Sequence, residues 1–377
     1  MEMQPVTVGI VGSGNISETY LNNLTKKFSI IRVVAIADLA IEKAQIQARK
    51  FHLRACTVDE LMSNSSVEAI LNLTPAAVHY GIIKRALLAG KHVYTEKSLT
   101  DSYETAKELT DLAKEKGLYL GSAPDTFFCS WLQRAREAID SGMLGEITSF
   151  AIAGNRDNDM LLSLFGFLRK PGSGLAADYA VYYLTALVHL LGPIGKVMAQ
   201  VKAPYPDRVN ILEGPEYGQP IHSDNDSQVF ALIETENGVS GTLHINGESC
   251  FFDRSYFAIY GKKGVLYLSN PDWFNGTVSF MPNGYDHSHH PEPKEMDDSY
   301  AFKEDCRGVG MADMAWAIRE GRENRASGRL ASHVLDVVEC MHRSHQTETF
   351  CQVESTCERP RPLKKPKDTE ESSLTTK

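Results

Sequence analysis

A Gly-x-Gly turn near the start of the chain has the residue types that bind a phosphate group. Gly12 and Gly14 follow an apolar, β-branched run and precede a segment of helical periodicity, with Ser17 where a third glycine would stand. Gly12 would allow a tight turn, and Gly14 would let a pyrophosphate approach the free N–H groups of a helix N-terminus at Asn15 and Ile16. The alternative is a tight turn that binds no ligand.

An acidic residue closes the next apolar run and strengthens this prediction. Asp38 lies where a carboxylate receives the ribose hydroxyls of an adenosine. It would repel a 2′-phosphate, and the following Leu39-Ala40-Ile41 contains no arginine, so NAD is favoured over NADP. Asp38 could also cap the helix that begins after it, and the two roles can coexist.

These residues require a parallel sheet covered by helices, and residues 6–121 have the pattern of one. Short apolar runs alternate with segments of helical periodicity, which indicates an α/β fold. Strands are predicted at 6–11, 31–38, 69–73, 92–95 and 118–121, and helices at 16–26, 41–52, 76–89 and 102–116.

The rest of the chain has a different rhythm, in which turn signals at 236–238 and 261–264 predict hairpins and a mostly antiparallel sheet. Helices are predicted at 126–141, 175–191, 309–321 and 330–343, the last capped by Ser327, and strands at 147–153, 196–203, 228–234, 239–246, 254–260 and 265–269. The tail from Glu358 is rich in proline and charge and should be disordered. The predicted domains are 1–123 and 124–357, followed by the tail 358–377.

Several further motifs accompany the glycine turn: Thr74-Pro75 with His79, Ala89-Gly90-Lys91-His92-Val93, Glu96-Lys97, and Gly172-Ser173-Gly174 before a helix at 178–192. With them the sequence resembles the glucose–fructose oxidoreductase / inositol dehydrogenase (Gfo/Idh/MocA) family over nearly the whole chain except its tail. The resemblance implies a Rossmann domain followed by an α/β domain with a large, open, mostly antiparallel sheet. It also implies NAD(P)-dependent oxidation or reduction of hydroxyl groups in sugars, cyclic polyols and related compounds.

The resemblance also assigns catalytic residues. Lys97 falls on the lysine of the family's Glu-Lys-Pro motif, which reaches the reacting hydroxyl, and Ser98 replaces the proline. Asp178 falls on the aspartate of the Asp-x-Gly-x-His motif, in which Ala180 replaces the glycine and Tyr182 the histidine. Some members carry a tyrosine there as the proton-transfer residue.

Lys97 and Tyr182 would act as bases, because the hydroxyl proton must leave while hydride passes to the nicotinamide. Their free pKa values of about 10 would have to be lowered by burial or by a neighbouring cation. Asp178, Tyr182 and His189 are spaced along one stripe of a helix, where Asp178 could hold substrate hydroxyls and orient Lys97. The alternatives are a core aromatic for Tyr182, a helix N-terminal carboxylate for Asp178, and a packing role for His189.

Other polar residues could line the same cleft. Predicted cofactor contacts are Asn72, Thr74, Pro75, His79, Glu96 and Lys97, and predicted substrate contacts are Asn155, Arg156, Arg169, Asp178, Tyr182 and His189. Thr74-Pro75 equally fits a helix N-cap followed by proline, and arginines are common on surfaces.

Composition narrows the class of partner. The 377 residues carry a net charge of −9, which repels nucleic acid and anionic membranes. No apolar run approaches the ~18 residues of a membrane span, and no signal peptide is evident, so a cytoplasmic location is expected. We expect a small carbohydrate substrate and a homo-oligomer that covers the open sheet. The run containing His287, His289 and His290 indicates a solvated loop, and no metal is predicted.

Three functions remain open at this point. The leading one is an NAD-dependent dehydrogenase of a sugar, cyclic polyol or glycoside. The second is a glycoside-cleaving enzyme that retains NAD through a cycle of oxidation, elimination and reduction. The third is a non-catalytic sensor of sugar or NADH.

Overall fold

The apolar runs in the first third of the chain form a six-stranded sheet in which every pair of neighbours is parallel. The strands are β1 (Val6–Val11), β2 (Ile31–Ala37), β3 (Arg54–Cys56), β4 (Ala69–Asn72), β5 (His92–Thr95) and β6 (Leu120–Ser122). Their order, β3-β2-β1-β4-β5-β6, is that of a Rossmann fold, whose ligands bind at the carboxyl ends of the strands. The computed structural model describes residues 3–250, 254–284, 291–297 and 299–364.

Five helices connect these strands: α1 (Asn15–Lys27), α2 (Ile41–Phe51), α3 (Val58–Ser63), α4 (His79–Leu88) and α5 (Tyr103–Glu115). The predicted strands 6–11 and 92–95 have the predicted bounds. The short pair β3 and α3 was not predicted, because neither is long enough to show a period. The helix predicted from 76 begins as a 3-10 turn and becomes α-helical at His79.

The second sheet has nine strands in the order β16-β15-β14-β13-β7-β12-β11-β8-β17. Its strands, with the separate pair β9 and β10, are β7 (Ile147–Asn155), β8 (Ile194–Lys202), β9 (Asp207–Val209), β10 (Pro220–His222), β11 (Gln228–Thr235), β12 (Ser240–Asn246), β13 (Tyr256–Gly261), β14 (Gly264–Leu268), β15 (Val278–Pro282), β16 (Lys294–Glu295) and β17 (Cys351–Gln352). β7 and β12 are parallel and the other neighbours are antiparallel, so the sheet is mixed.

Among the described residues, six further helices follow: α6 (Ser130–Asp140), α7 (Asn158–Leu164), α8 (Leu175–Asp178), α9 (Ala180–Leu191), α10 (Val309–Glu320) and α11 (Gly328–Thr347). The single helix predicted over 175–191 is two helices, because Tyr179 departs from helical geometry with φ −118°. α7 lies in a stretch for which neither a helix nor a strand was predicted. The predicted cap is present, since the Ser327 hydroxyl accepts a hydrogen bond from the amide of Leu330. None of the described helices has both the length and the hydropathy needed to cross a membrane.

The chain divides into two units whose segments interleave along the sequence. The first unit contains the described residues up to Phe128, the segment Glu304–Ser332 and the described residues from Leu363 onward. The second unit contains Cys129–Lys303 and His333–Pro362. The continuous domain predicted over 124–357 is therefore interrupted. The reason is that α10 packs against β5 and β6, where Gly310 leaves room for the hydroxyl of Tyr94.

Part of the tail predicted to be disordered is anchored. The guanidinium of Arg359 donates to the carbonyls of His189 and Leu190 at the end of α9, and Arg136 donates to the carbonyl of Pro360 at 2.8 Å. Composition alone missed this segment because it does not show the hydrogen bonds to helix-terminal carbonyls that anchor the segment. Residues 365–377 lie outside the described part of the chain.

A buried carboxylate holds the start of α10 in the first unit. Asp125 is 2% exposed and accepts hydrogen bonds from the amides of Gly308 at 2.9 Å and Gly310 at 3.0 Å. Burial raises the pKa of Asp125 to about 6, although the two amides favour its ionised form. The carboxylate thus ties α10 to the segment after β6 at an electrostatic cost near neutral pH.

We expect Asp125→Asn to flatten the pH dependence of stability. The folded chain, with a pKa of about 6 at Asp125, binds the proton more tightly than the unfolded chain at about 3.9. The stability linked to this proton is full below about pH 4 and is lost, by about 3 kcal/mol, as the pH rises through about 6. An asparagine stays neutral and still accepts hydrogen bonds from the two amides.

Urea unfolding of wild type and variant at about pH 4.5 and pH 7.5 measures this difference. Asp101→Asn, at an exposed position of the same unit, is the matched control and should behave as the wild type. The expectation would be contradicted if the free energy of unfolding of Asp125→Asn fell between these two pH values by as much as that of the wild type.

Candidate active site

In the glycine turn, Gly14 leaves room for a pyrophosphate, whereas Gly12 leaves no room for a side chain. Gly12 has φ +102°, and a Cβ there would lie 2.7 Å from the carbonyl carbon and oxygen of Leu73. Gly14 precedes α1, and a Cβ there would meet nothing within 4 Å, so its surroundings are open. Exposed Asn15 and half-buried Ile16 begin the helix. The open helix N-terminus fits a bound dinucleotide, as the sequence predicts.

Asp38 closes β2 with both carboxylate oxygens engaged. Its Oδ2 accepts hydrogen bonds from the amide and hydroxyl of Ser13, at 2.8 and 2.7 Å, and its Oδ1 accepts one from the amide of Ala40 at 2.9 Å. Partial burial raises the pKa of Asp38, but the hydrogen bonds from Ala40 and Ser13 outweigh it, so the pKa lies below the usual value. The N-cap of α2 is Ala40 rather than Asp38. The carboxylate therefore braces the glycine turn and stays charged.

Two predicted cofactor contacts, Asn72 and His79, are fully buried and connect loops instead. Asn72 donates to the hydroxyl of Thr95 at 3.0 Å and accepts from the hydroxyl of Thr74 at 2.7 Å. Thr74 is consequently not a helix cap, and exposed Pro75 occupies the N-cap position of the 3-10 turn. Because the Asn72 and His79 side chains are enclosed, they position the residues around them rather than present a surface to a ligand.

His79 joins the loop after β4 to the loop after β5. Its Nε2 lies 2.7 Å from the carbonyl oxygen of Thr74, and its Nδ1 lies 2.6 Å from that of Ser98. Burial lowers the pKa of His79, while the two carbonyls oppose this change by favouring the protonated ring. The peptide bond between Lys97 and Ser98 is cis.

Glu96 and Lys97 follow β5 at the same edge of the sheet as the glycine turn, and both are half-buried. The Glu96 carboxylate accepts a hydrogen bond from the hydroxyl of Tyr20 at 2.6 Å and one from the amide of Lys97 at 3.1 Å. Sequence reasoning missed Tyr20 and Ser13. For Tyr20, a polar aromatic at an inward position of the helix after the glycine turn was the available signal.

In the second unit, α8 and α9 expose Asp178 and Tyr182. From Leu175 to Leu191 every residue is buried except Ala177, Asp178 and Tyr182, which are half-buried. The predicted stripe therefore opens to its surroundings at Asp178 and Tyr182 only. His189 is fully buried, with its Nε2 3.3 Å from Gln133, which agrees with packing and not with the predicted substrate contact.

The guanidinium of Arg156 interacts electrostatically with Asp178 and Tyr182. Its guanidinium pairs with Asp272 and lies 4.1 Å from the ring centre of Tyr179. Burial lowers the pKa of Arg156. The opposite effect of Asp272, and then of Tyr179, Asp178 and Tyr182, is larger in sum, so the pKa lies above its usual value. A cation thus stays charged near Asp178 and Tyr182.

The other predicted substrate residues have structural partners. Asn155, at the end of β7, donates to the carbonyl of Arg254 at 2.8 Å. Arg169 donates to the carbonyl of Leu162 at 2.8 Å, near the end of α7, and its predicted substrate contact stays a prediction. An open cavity of about 760 Å³ in this unit contains no predicted site residue; its lining includes Asp157, Tyr205, Arg208 and Glu248.

The histidine-rich run cannot be placed. His287, His289 and His290 lie outside the described residues. In the part of the chain that is described, no group of three or more His, Cys, Asp or Glu side chains is positioned to hold a metal ion.

Comparison with known proteins identifies the family. Residues 6–123 match the model of an oxidoreductase family with an NAD-binding Rossmann fold, and residues 132–267 match the GFO/IDH/MocA C-terminal domain. The chain belongs to the Gfo/Idh/MocA family. The predicted family and fold class are confirmed, and residues 6–123 are the NAD-binding Rossmann domain of this oxidoreductase family.

Individual members differ in how much of this chain they match. An uncharacterized oxidoreductase of Schizosaccharomyces pombe is 34% identical over 146 residues, which are 39% of this chain and 40% of that protein. The dTDP-3,4-didehydro-2,6-dideoxy-alpha-D-glucose 3-reductase of Streptomyces violaceoruber is 28% identical over 72% of this chain and 79% of that protein. Levoglucosan dehydrogenase, solved with NADH and L-sorbose, shares the fold with a TM-score of 0.80 at 20% identity, covering 94% of this chain and 100% of that one.

We expect Gly14→Ala to weaken NADH binding by about tenfold or more without lowering the melting temperature. Its methyl group would meet no protein atom within 4 Å but would occupy the side from which the pyrophosphate approaches. Gly12→Ala is the matched variant and should lower the melting temperature, because its Cβ would collide with the backbone of Leu73. NADH fluorescence titration and thermal unfolding separate the two effects. Wild-type NADH affinity in Gly14→Ala would contradict the proposed approach of the cofactor.

Proposed function

We propose that the protein is an NAD-dependent dehydrogenase that oxidises or reduces a CH–OH group at a ring carbon of a sugar, cyclic polyol or glycoside. The observation that carries the proposal is that Lys97 follows β5 at the sheet edge that holds the glycine turn and Asp38. Relatives named for a dTDP-sugar reduction and for levoglucosan oxidation support a carbohydrate substrate. The charged Asp38, braced by Ser13, supports NAD over NADP.

Bound NAD supplies the group that accepts or returns a hydride. In the proposed mechanism Lys97 takes the single proton that leaves the reacting hydroxyl, and Tyr182 relays that same proton onward; in the direction of reduction the proton returns by the same route. Asp178 accepts hydrogen bonds from substrate hydroxyls. The positive charge of Arg156, which interacts electrostatically with Tyr182 and Asp178, supports these two residues as polar groups of the proposed site. The dispersed cysteines fit a reducing compartment, and we propose the cytoplasm.

Lys97→Ala and Tyr182→Phe should each lower kcat by about a hundredfold or more while NADH affinity is kept, because each removes a proton-transfer group and leaves the glycine turn and Asp38 in place. NADH absorbance on a panel of sugars, polyols and glycosides measures turnover, and fluorescence titration measures binding. Tyr183→Phe is the matched control, since the Tyr183 hydroxyl is buried against that of Tyr179 at 3.0 Å. It should affect stability more than kcat.

The same assay distinguishes the other candidate functions when aglycone release is followed beside NADH. Release of aglycone without net NADH would replace the proposal by glycoside cleavage with retained NAD. Tight sugar binding without turnover of any compound would indicate a sensor. Unchanged turnover in Lys97→Ala would remove the proposed catalytic role of that residue.

We also propose a homo-oligomer formed through the open face of the second sheet. Alternate residues of β8, β11 and β13 are exposed there by 37–50%: Met198, Phe230, Leu232 and Tyr256. An apolar face of this extent marks an interaction surface. The ion pair between Lys196 and Glu234 neutralises charge on the same side of the strands, so a second copy meets no net repulsion from this pair.

Leu232→Arg should reduce the oligomer to monomers, because it buries a charge in the proposed contact. Light scattering coupled to gel filtration measures the mass. Tyr217→Arg is the control at a residue that is 64% exposed outside the sheet and should leave the mass unchanged. A monomeric wild type, or an unchanged mass in Leu232→Arg, would overturn the proposal.

A further inference from the structure

The nucleotide helix is joined to the catalytic loop through one buried side chain. Tyr20 lies in α1 and is fully buried, and its hydroxyl donates to Oε1 of Glu96 at 2.6 Å. The other oxygen of the same carboxylate accepts the amide of Lys97 at 3.1 Å. The Glu96 carboxylate is therefore held by a helix on one side and by the backbone of Lys97 on the other.

The hydroxyl of Tyr20 remains a donor throughout the useful pH range. Burial raises the pKa of Tyr20 well above its usual value, and the charges of Glu96 and Asp125 and the nearby Tyr94 raise it further. A protonated hydroxyl that donates to a carboxylate forms a strong, short hydrogen bond. Replacement by phenylalanine would keep the ring and remove only this bond.

The N-terminus of α1 follows the nucleotide turn directly. α1 begins at Asn15, directly after Gly14, and Tyr20 is less than two turns further along. Those turns are rigid, so a ligand that fixes the helix N-terminus also fixes the hydroxyl of Tyr20. Beyond Tyr20 the contacts run through Glu96 to the amide of Lys97.

We propose that Tyr20 is a positioning residue that couples occupancy of the nucleotide turn to the placement of Lys97, acting through the carboxylate of Glu96. The part of the inference that concerns turnover rests on the proposed function. The part that concerns the amide of Lys97 depends only on the NAD-binding fold and on the hydrogen bonds described above.

A matched control exists in the same unit. Tyr94 is also fully buried, but its hydroxyl has no hydrogen-bond partner among the described residues. Burial, then the charges of Asp125 and Glu96, raise the pKa of Tyr94 well above its usual value as well. Tyr94→Phe therefore removes an equally buried hydroxyl from the same electrostatic surroundings without breaking the contact with Glu96.

The test measures amide hydrogen exchange of Lys97 in protein labelled with ¹⁵N-lysine, with and without NAD. In wild type and Tyr94→Phe, NAD should slow this exchange. In Tyr20→Phe the exchange should be about tenfold faster and should no longer respond to NAD, while NADH affinity stays within a few-fold of wild type. Glu96→Gln, which weakens the acceptor and keeps its shape, should give the same result and serves if Tyr20→Phe does not fold.

Turnover provides the second readout. Tyr20→Phe should lower kcat by about tenfold with little change in KM and should shift the pH profile of kcat, which a loss of stability alone would not do. In a Glu96→Ala background, Tyr20→Phe should have no further effect. Exchange at Lys97 that responds to NAD equally in Tyr20→Phe and wild type would overturn the inference. Altered exchange together with full turnover in Lys97→Ala would leave the coupling intact and reject the proposed function instead.

Discussion

The lack of a side chain at Gly12 is the constraint on which the nucleotide edge of the first unit depends. The backbone of Gly12 lies against Leu73, so close that a Cβ would be 2.7 Å from its carbonyl. This approach brings the turn after β1 against the loop after β4. Asn72 then extends the contact to Thr95 at the end of β5, and His79 extends it to Ser98 in the loop that follows. The residues on either side of Lys97 are thereby held by side chains that never meet solvent, and the nucleotide turn and the lysine belong to one interlocked edge.

Buried and half-buried aspartates organise both units by accepting hydrogen bonds from backbone N–H groups. Asp38 braces the glycine turn, and Asp125 holds the start of α10. In the second unit Asp226 accepts the amide of Ala176, which fixes the beginning of α8 just before Asp178, and Asp336 accepts the amides of Glu354 and Ser355. An orphan amide and a buried carboxylate each cost free energy alone, and pairing them satisfies both. The aspartates thus join segments that are distant in sequence.

Sequence patterns predicted what local physics determines. The strands β1 and β5, the glycine turn and its acidic partner follow from periodicity, from φ preferences and from charge. The break at Tyr179 could not be predicted, because residues 175–191 contain no glycine or proline to mark it. Its ring is held under Arg156 and its hydroxyl accepts a hydrogen bond from Asn270, contacts between distant residues. The same limit applies to Tyr20, whose partner Glu96 is 76 residues away.

The anchoring of Arg359 on the end of α9 bears on how the protein is made. The helix that carries Tyr182 receives hydrogen bonds on its terminal carbonyls from a residue translated 170 positions after His189. The first unit likewise includes Glu304–Ser332, which is translated after most of the second. Neither unit can fold completely until the C-terminal segments that belong to it have been synthesised. Completion of both units therefore belongs to the final stage of synthesis or follows release of the chain.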